Sequence, residues 1–369
     1  MVQKRTAIGM CVALWCVAPA WAEENAIMIY GVIDQVVEVD SGTNMGNGTS
    51  GHDYRLGLGS VPSRLGFRGS EDLGGGFKAL FVLEGGINPD IGTAGQGGRI
   101  FGRQSWVGLG GEYGTASLGR QYTMRYYAML DADFFGAGSQ GLGSLDSGIP
   151  NARADNAFSY RGTFGRVTAG ANYSLGRDAV SGNNAAATNC AGEAAGAATQ
   201  CREWSVMTKY DSGNWGVASA YERQHGGTSG TYGGLTSPTL TDTRFTLNGF
   251  LKLERTRLGL GWLARDNEGS AATPKSNLYW LVGEQHLSDP VNLTAMYAQI
   301  AFKDSPNRAD LVAARANYWF SKRTTIYISD AYIINHGTLA LAASSNSPGA
   351  GPLPGESQNS LQLGLGHTF

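Results

Sequence analysis

Few side chains in this protein could do chemistry, since only 16% of its 369 residues are Asp, Glu, Lys or Arg. Arg64, Gly66 and Arg68 alternate with Leu65 and Phe67, so in an extended chain both guanidiniums project from one face and both apolar side chains from the other. Fixed positive charge of this kind attracts and orients anions without any reacting group. Asp131, Asp133 and Asp146 flank the segment Phe134-Phe135-Gly136-Ala137-Gly138 and could face such a positive surface. Signals for a reaction centre are poor. Gly136, Gly138 and Gly141 match the dinucleotide fingerprint by letters, yet no helix follows and no βαβ unit surrounds them. The histidines (His52, His225, His286, His336 and His367) are isolated, without metal-ligand spacing or an HExxH pattern. A Gly-x-Ser-x-Gly elbow is also missing. The expectation is a protein that is no enzyme and carries neither cofactor nor metal.

The elements that position these residues read as strands. Glycine, at 55 residues, is about twice its usual ~7% share and penalises helix interiors. With 42% hydrophobic residues and a net charge of −2, disorder has little support. Mean hydropathy is −0.20, and beyond the first 25 residues no apolar run approaches the ~20 residues of a spanning helix. That test leaves a membrane β-barrel open. Trp204, Val206, Thr208 and Tyr210 alternate with Ser205, Met207, Lys209 and Asp211. After a turn at Asp211-Ser212-Gly213-Asn214, the pattern repeats through Trp215, Val217, Ser219 and Tyr221. Leu258, Leu260 and Trp262 continue it against Arg257, Gly259 and Gly261, as do Ala314, Ala316, Tyr318 and Phe320 against Arg315 and Asn317.

The N-terminus reads as an export signal over 1–22: Lys4 and Arg5, an apolar stretch over 7–18, and Ala20-Trp21-Ala22 as a cleavage site. The barrel would occupy 23–369. Cleavage leaves 26 basic against 30 acidic residues, a charge of −4, which argues against nucleic-acid partners. Cys11 and Cys16 leave with the signal, and Cys190 and Cys201 are expected to pair in an oxidising compartment.

Connection lengths bear on which face meets water. Short turns near 72–75, 162–165, 211–214 and 321–323 alternate with long Gly/Ser/Ala/Asn segments over 41–54, 87–98, 123–156, 176–201, 226–237, 266–276 and 336–357. Short turns at one end and long loops at the other describe an outer-membrane barrel. Sixteen candidate strands of roughly 10 residues suit the chain length. Tyr160, Tyr173, Trp204, Tyr210, Trp215, Tyr221, Trp262, Tyr318 and Phe320 fall near strand ends on the outward face, as interfacial girdles require. Lys209, Arg161, Arg257 and Arg315 then face the lumen as solvated wall.

The stretch Ser63-Arg64-Leu65-Gly66-Phe67-Arg68-Gly69-Ser70-Glu71-Asp72-Leu73-Gly74-Gly75-Gly76-Phe77-Lys78-Ala79 carries a resemblance. So do Tyr30-Gly31-Val32-Ile33-Asp34, Gly102-Arg103-Gln104-Ser105-Trp106-Val107-Gly108-Leu109, Leu118-Gly119-Arg120-Gln121-Tyr122 and the terminal Phe369. Together they resemble Gram-negative trimeric porins of the betaproteobacterial type. The resemblance implies an all-β, 16-stranded antiparallel transmembrane β-barrel with short periplasmic turns, long external loops and a third loop folded into the lumen. It also implies a homotrimer in the outer membrane, in contact with its lipid and lipopolysaccharide. Phe369 would be an assembly signal read by the outer-membrane assembly machinery. Arg64, Arg103 and Arg153 match the basic cluster of anion-selective members, with Arg68 on the same face as Arg64. Arg103 falls on the parity of Val107 and Leu109, so it needs a bulge or a position above the lipid band. Passive diffusion of small hydrophilic solutes and ions, with anions preferred, is the implied function. The alternatives are a channel specific for dicarboxylate or phosphate, and a non-conducting adhesive or structural surface barrel.

Overall fold

Side chains that alternate along an extended chain force one face of every strand into a single environment, and here the faces are turned inside out relative to a soluble sandwich. The computed structural model describes residues 27–136, 138–177, 190–228, 234–346 and 350–369; the expected leader and its cleavage site lie outside them. The strands are β1 (Ile27–Asn44), β2 (Ser50–Leu58 continued by Arg64–Gly74), β3 (Phe77–Asn88), β4 (Gln104–Gly111), β5 (Gly114–Tyr122), β6 (Arg153–Phe164), β7 (Val167–Ser174) and β8 (Glu203–Asp211). They continue as β9 (Trp215–His225), β10 (Thr241–Lys252), β11 (Thr256–Asn267), β12 (Lys275–Ser288), β13 (Val291–Phe302), β14 (Arg308–Trp319), β15 (Thr324–His336) and β16 (Ser357–Thr368). Each pairs antiparallel with its neighbour, and β1 closes on β16 from Val32↔Thr368 to Ser41↔Asn359. Phe369 extends that closure by exchanging backbone hydrogen bonds of 3.0 and 3.1 Å with Gly31.

Leu247, Leu260, Leu281 and Leu363 on the outer face are 50–59% exposed, whereas Ser205, Glu222, Thr246 and Ser360 on the inner face are 0% exposed. The aromatic residues expected as girdles lie on the outer face, several in pairs: Trp204 with Tyr221 at 5.2 Å and Tyr210 with Trp215 at 5.1 Å. Turns at one end are tight. Gly74, Gly75 and Gly76 all have positive φ (78°, 62° and 83°), a run that side-chain-bearing residues resist.

Two features depart from the sequence reading. The polar segment 41–54 is mostly strand, because β1 runs to Asn44 and β2 resumes at Ser50. Asp53, opposite Asp40, shares the inner face of β2 with Arg55, whereas Ser50 and His52 share the exposed face of Tyr54 and Leu56, and a strand polar on both faces is compositionally close to a loop. β2 is also broken. Gln35 pairs with Leu58 and Val32 with Arg64, so Ile33 and Asp34 face residues 59–63, a larger insertion than an ordinary single-residue bulge.

The third loop, 123–152, folds inward. It begins with a short helix, Met124–Met129, and its Phe134, Phe135, Leu142, Leu145 and Ile149 are buried against inward apolar side chains including Leu263, Leu278, Trp280, Val282, Met296, Ile300 and Leu311. Polar ties fix its ends and middle. Arg125 pairs with Glu222 at 3.1 Å, Trp280 Nε1 donates to the Ala132 carbonyl at 3.0 Å, and Gln140 Nε2 donates to the Ser360 carbonyl at 2.6 Å. Farther along the chain Cys190 and Cys201 are bonded to each other, their Cα atoms 5.3 Å apart.

Candidate pore constriction

The inward loop narrows the lumen to a cavity of about 180 Å³ whose lining includes Arg64, Arg103, Arg153 and Arg315 together with Asp34, Asp133 and Glu284. Three of these arginines are gathered by two acceptors. Glu84 on β3 accepts from Arg103 Nε at 2.7 Å, lies 3.6 Å from Arg64 Nε, and also accepts from the Tyr30 hydroxyl at 3.0 Å. The hydroxyl of Tyr122, at the end of β5, accepts from Arg103 at 2.8 Å and from Arg153 at 3.2 Å. Arg153 also lies over the Tyr122 ring at 4.7 Å, a cation–π contact that holds the guanidinium plane. One carboxylate therefore pairs with two guanidiniums while the third rests on a neutral tyrosine, and this cluster keeps a net positive charge.

The parity conflict at Arg103 disappears because Arg103 precedes β4, in a bend where its backbone N–H donates to the Glu84 carbonyl at 3.0 Å. Outside the ladder the two-residue period does not bind it. Arg68 shares the inward face with Arg64 but sits four residues along β2, ~13 Å at 3.3 Å per residue. It lies over Tyr30 at 5.3 Å and does not line the cavity.

The three loop acids are dispersed. Asp131 is ion-paired with Lys209 of β8. Asp146 is buried against Arg244 of β10 at 3.3 Å and accepts from the Gly148 N–H at 2.8 Å. Burial alone would raise its pKa, but Arg244, Arg265 and Arg125 outweigh that and hold it well below the usual carboxylate range. Only Asp133 lines the cavity. Burial pushes its pKa up to about 6 against the opposing pull of the Gly136 N–H and of Arg315. The expected row of carboxylates opposite the arginines is thus reduced to one weak acid, because a buried loop must pair its other charges with the wall that carries it.

Sequence reading placed Arg161, Lys209, Arg257 and Arg315 as solvated wall, yet each touches the loop. Arg161 lies over Tyr127 at 3.9 Å, Arg257 over Phe134 at 3.7 Å and Arg315 over Phe135 at 4.6 Å. Arg315, on β14 across the barrel from Arg153, brings positive charge to the opposite side of the cavity. Strand parity showed that it faces the lumen; the position of the loop over it was not readable. Glu84 and Tyr122 were missed as well, although both lie beside the arginines in the quoted motifs or the strand paired with them. Among the described residues, no group of three or more His, Cys, Asp or Glu side chains could hold a metal ion.

A closed barrel with a lipid-facing exterior and a charged, loop-narrowed lumen is a transmembrane channel. The chain belongs to the Gram-negative porin family, whose description matches residues 10–338. It is 27% identical to outer membrane porin protein 32 of Delftia acidovorans, over 98% of this chain and 99% of that one. With an outer membrane porin protein of Bordetella pertussis it shares 35% identity over 39% of this chain and 41% of that one. Among solved structures, the anion-selective porin from Comamonas acidovorans superposes with a TM-score of 0.77 at 25% identity, covering 94% of this chain and all of that one. OmpT of Vibrio cholerae in trimer form gives 0.63 at 16% identity over 94% of this chain and all of that one, a likeness of fold. The protein is an outer-membrane porin.

Proposed function

We propose that the porin is an anion-preferring diffusion channel for small hydrophilic solutes, active as a homotrimer, with Arg64, Arg103 and Arg153 as the selectivity cluster. The observation that carries the reading is the charge count at the narrow zone: Arg64 and Arg103 share Glu84, Arg153 sits beside them on the Tyr122 hydroxyl without a carboxylate, and Asp133 is the only loop acid on the lining. Selectivity here depends on placement, because the chain as a whole is slightly acidic. The anion-selective Comamonas porin supports the anion preference, and the trimer form of OmpT supports the assembly. In this reading residues 1–22 are removed on export and Phe369 is the assembly signal for the outer-membrane machinery. The exposed apolar belt meets outer-membrane lipid and lipopolysaccharide, and no catalytic residue is assigned.

Planar-bilayer reconstitution in a salt gradient tests this. The wild type should give a reversal potential of the sign set by anions, and Arg64→Ala and Arg153→Ala should each move it toward zero. Cation preference in the wild type would overturn the reading. The convergence of Arg103 and Arg153 on one hydroxyl, with Arg315 opposite, favours a second reading in which the zone retains a multivalent anion such as phosphate or a dicarboxylate. Saturable block of chloride current by that anion would distinguish it. A barrel that inserts without conductance would instead be a structural or adhesive surface protein.

A further inference from the structure

Residues 59–63 leave the β2 ladder halfway through the barrel, and backbone groups that leave a ladder must find other partners. Here they converge on two side chains from other strands. The Val61 N–H donates to Asp34 Oδ2 at 2.8 Å and the Ser60 hydroxyl to the same oxygen at 3.2 Å. The Ser60 N–H donates to the Tyr327 hydroxyl at 2.7 Å, which in turn donates to Asp34 Oδ1 at 2.8 Å. The Gly59 N–H donates to the Asp34 carbonyl at 3.2 Å, and the Asp34 N–H to the Ser63 hydroxyl at 2.8 Å. Pro62 has no N–H to place.

Asp34 and Tyr327 are each 2% exposed, and among the described residues Asp34 has no ion-pair partner. A buried carboxylate held by hydrogen bonds, with the Arg315 charge acting on it only from beyond ion-pair distance, is costly, and the ladder does not need it, since β1 pairs with β16 at Asp34↔Gly366 through backbone alone. What the carboxylate does organise lies on either side of it. Arg64 is the first residue after the break and donates to the Pro62 carbonyl at 3.1 Å. The third loop rests on the same break: the Ser139 N–H approaches the Gly59 carbonyl at 3.4 Å, and a Cβ on Gly138 would lie 2.2 Å from the Ser60 carbonyl oxygen.

We infer that Asp34 and Tyr327 are positioning residues for selectivity: the pair sets the inward break of β2, and through it both the reach of Arg64 into the lumen and the seat of the third loop. This rests on the proposed role of Arg64.

The test is a series in the full-length porin, reconstituted in planar bilayers: Asp34→Asn, Tyr327→Phe, Arg64→Ala, and Asp34→Asn combined with each of the other two. Heat-modifiable electrophoretic mobility reports folding. Asparagine keeps the shape but turns one acceptor oxygen into a donor facing other donors. Neutralising Asp34, which lines the cavity, would by charge alone raise the anion-to-cation permeability ratio. Displacement of Arg64 should outweigh this, so that Asp34→Asn lowers the ratio about threefold, within the range one net hydrogen bond controls, and changes the single-channel conductance. Tyr327→Phe should act in the same direction and add nothing to Asp34→Asn. On the Arg64→Ala background Asp34→Asn should no longer lower the ratio, leaving only the rise expected from the lost carboxylate, while still changing conductance, which a general loss of stability would not reproduce. A folded Asp34→Asn protein with wild-type conductance and reversal potential overturns the inference. If Arg64→Ala alone leaves selectivity intact, the proposed selectivity cluster fails, and the positioning role stands or falls on conductance. Should Asp34→Asn not fold, Tyr327→Phe decides by the same two measurements.

Discussion

The two sides of the lumen obey one alternation rule and reach opposite ends with it. On β2 to β6 the inward positions carry Arg64, Glu84, Arg153 and Asp155, tied by ion pairs and tyrosine hydroxyls. On β11 to β14 the inward positions include Leu263, Leu278, Trp280, Val282, Met296, Ile300 and Leu311, all at most 4% exposed, beside the charged Arg257, Glu284 and Arg315. That second wall would be a poor lining for a water channel, and the third loop covers it with Phe134, Phe135, Leu142 and Leu145. A soluble-type core therefore sits inside a membrane barrel. On the proposed reading the difference separates two jobs: the charged cluster, with Arg315 facing it, governs which ion passes, and the apolar seat of the loop governs how wide the passage is.

The separation breaks most visibly if the seat is emptied. Phe134 is 1% exposed, and truncating a buried phenylalanine costs about 3–5 kcal/mol. Phe134→Ala should loosen the loop and raise single-channel conductance substantially, with greater protease sensitivity near 130–145. Unchanged conductance would mean that the polar ties at Arg125, Gln140 and Asp146 suffice without the apolar seat.

The converse substitution is the double change Arg64→Ala with Arg153→Ala. Each guanidinium contributes on the order of 1 kcal/mol to an anion a few Å away in a solvated site, so the pair should reduce the permeability ratio several-fold or more. Thermal stability of the folded barrel should move much less than in Phe134→Ala. If stability falls equally in both variants, the two walls are not separable.

Smaller still is the effect of pH through Asp133. Its pKa is raised to about 6 from an ordinary carboxylate value near 3.9. A carboxyl whose folded pKa is raised favours the folded, seated loop at low pH and loses that contribution as pH rises through the window from about 4 to about 6. The same titration makes the cavity more negative above pH 6. Anion preference should therefore increase modestly as pH falls from 7 to 5, and Asp133→Asn should weaken that dependence, with Asp34 on the same lining able to supply a remainder. A pH response undiminished in Asp133→Asn would assign it to another group.

The inward fold of the third loop came from the family resemblance alone, whereas strand number and lumen direction were legible because parity and connection length act over short sequence distances. Arg64 could be placed that way. Glu84, Asp34 and Tyr327 could not, since their contacts join β1, β2, β3 and β15 across the closure of the barrel, and nothing local to Asp34 announces that it will accept hydrogen bonds from residues 60 and 61. Asp131 and Asp146 were grouped with Asp133 by sequence proximity, but a loop that curls within a lumen sends neighbouring side chains to different walls. The segment 41–54 was misread for a related reason: a strand polar on both faces imitates a loop in composition.

Those dispersed acids supply the finest test of the two-wall division. Asp131 and its partner Lys209 are 26% and 20% exposed, and partly solvated pairs of this kind contribute about 0–1 kcal/mol. Arg257 also reaches this site, donating to the Asp131 backbone carbonyl at 2.9 Å, a contact that substitution of the side chain leaves in place. Asp131→Asn should therefore leave folding and conductance within error of wild type. The Lys209 ammonium then keeps Asp211 as its partner at 3.7 Å, so any shift in reversal potential should be slight and toward anions. A shift as large as that of Asp133→Asn would place Asp131 in the permeation path and merge the two walls into one field.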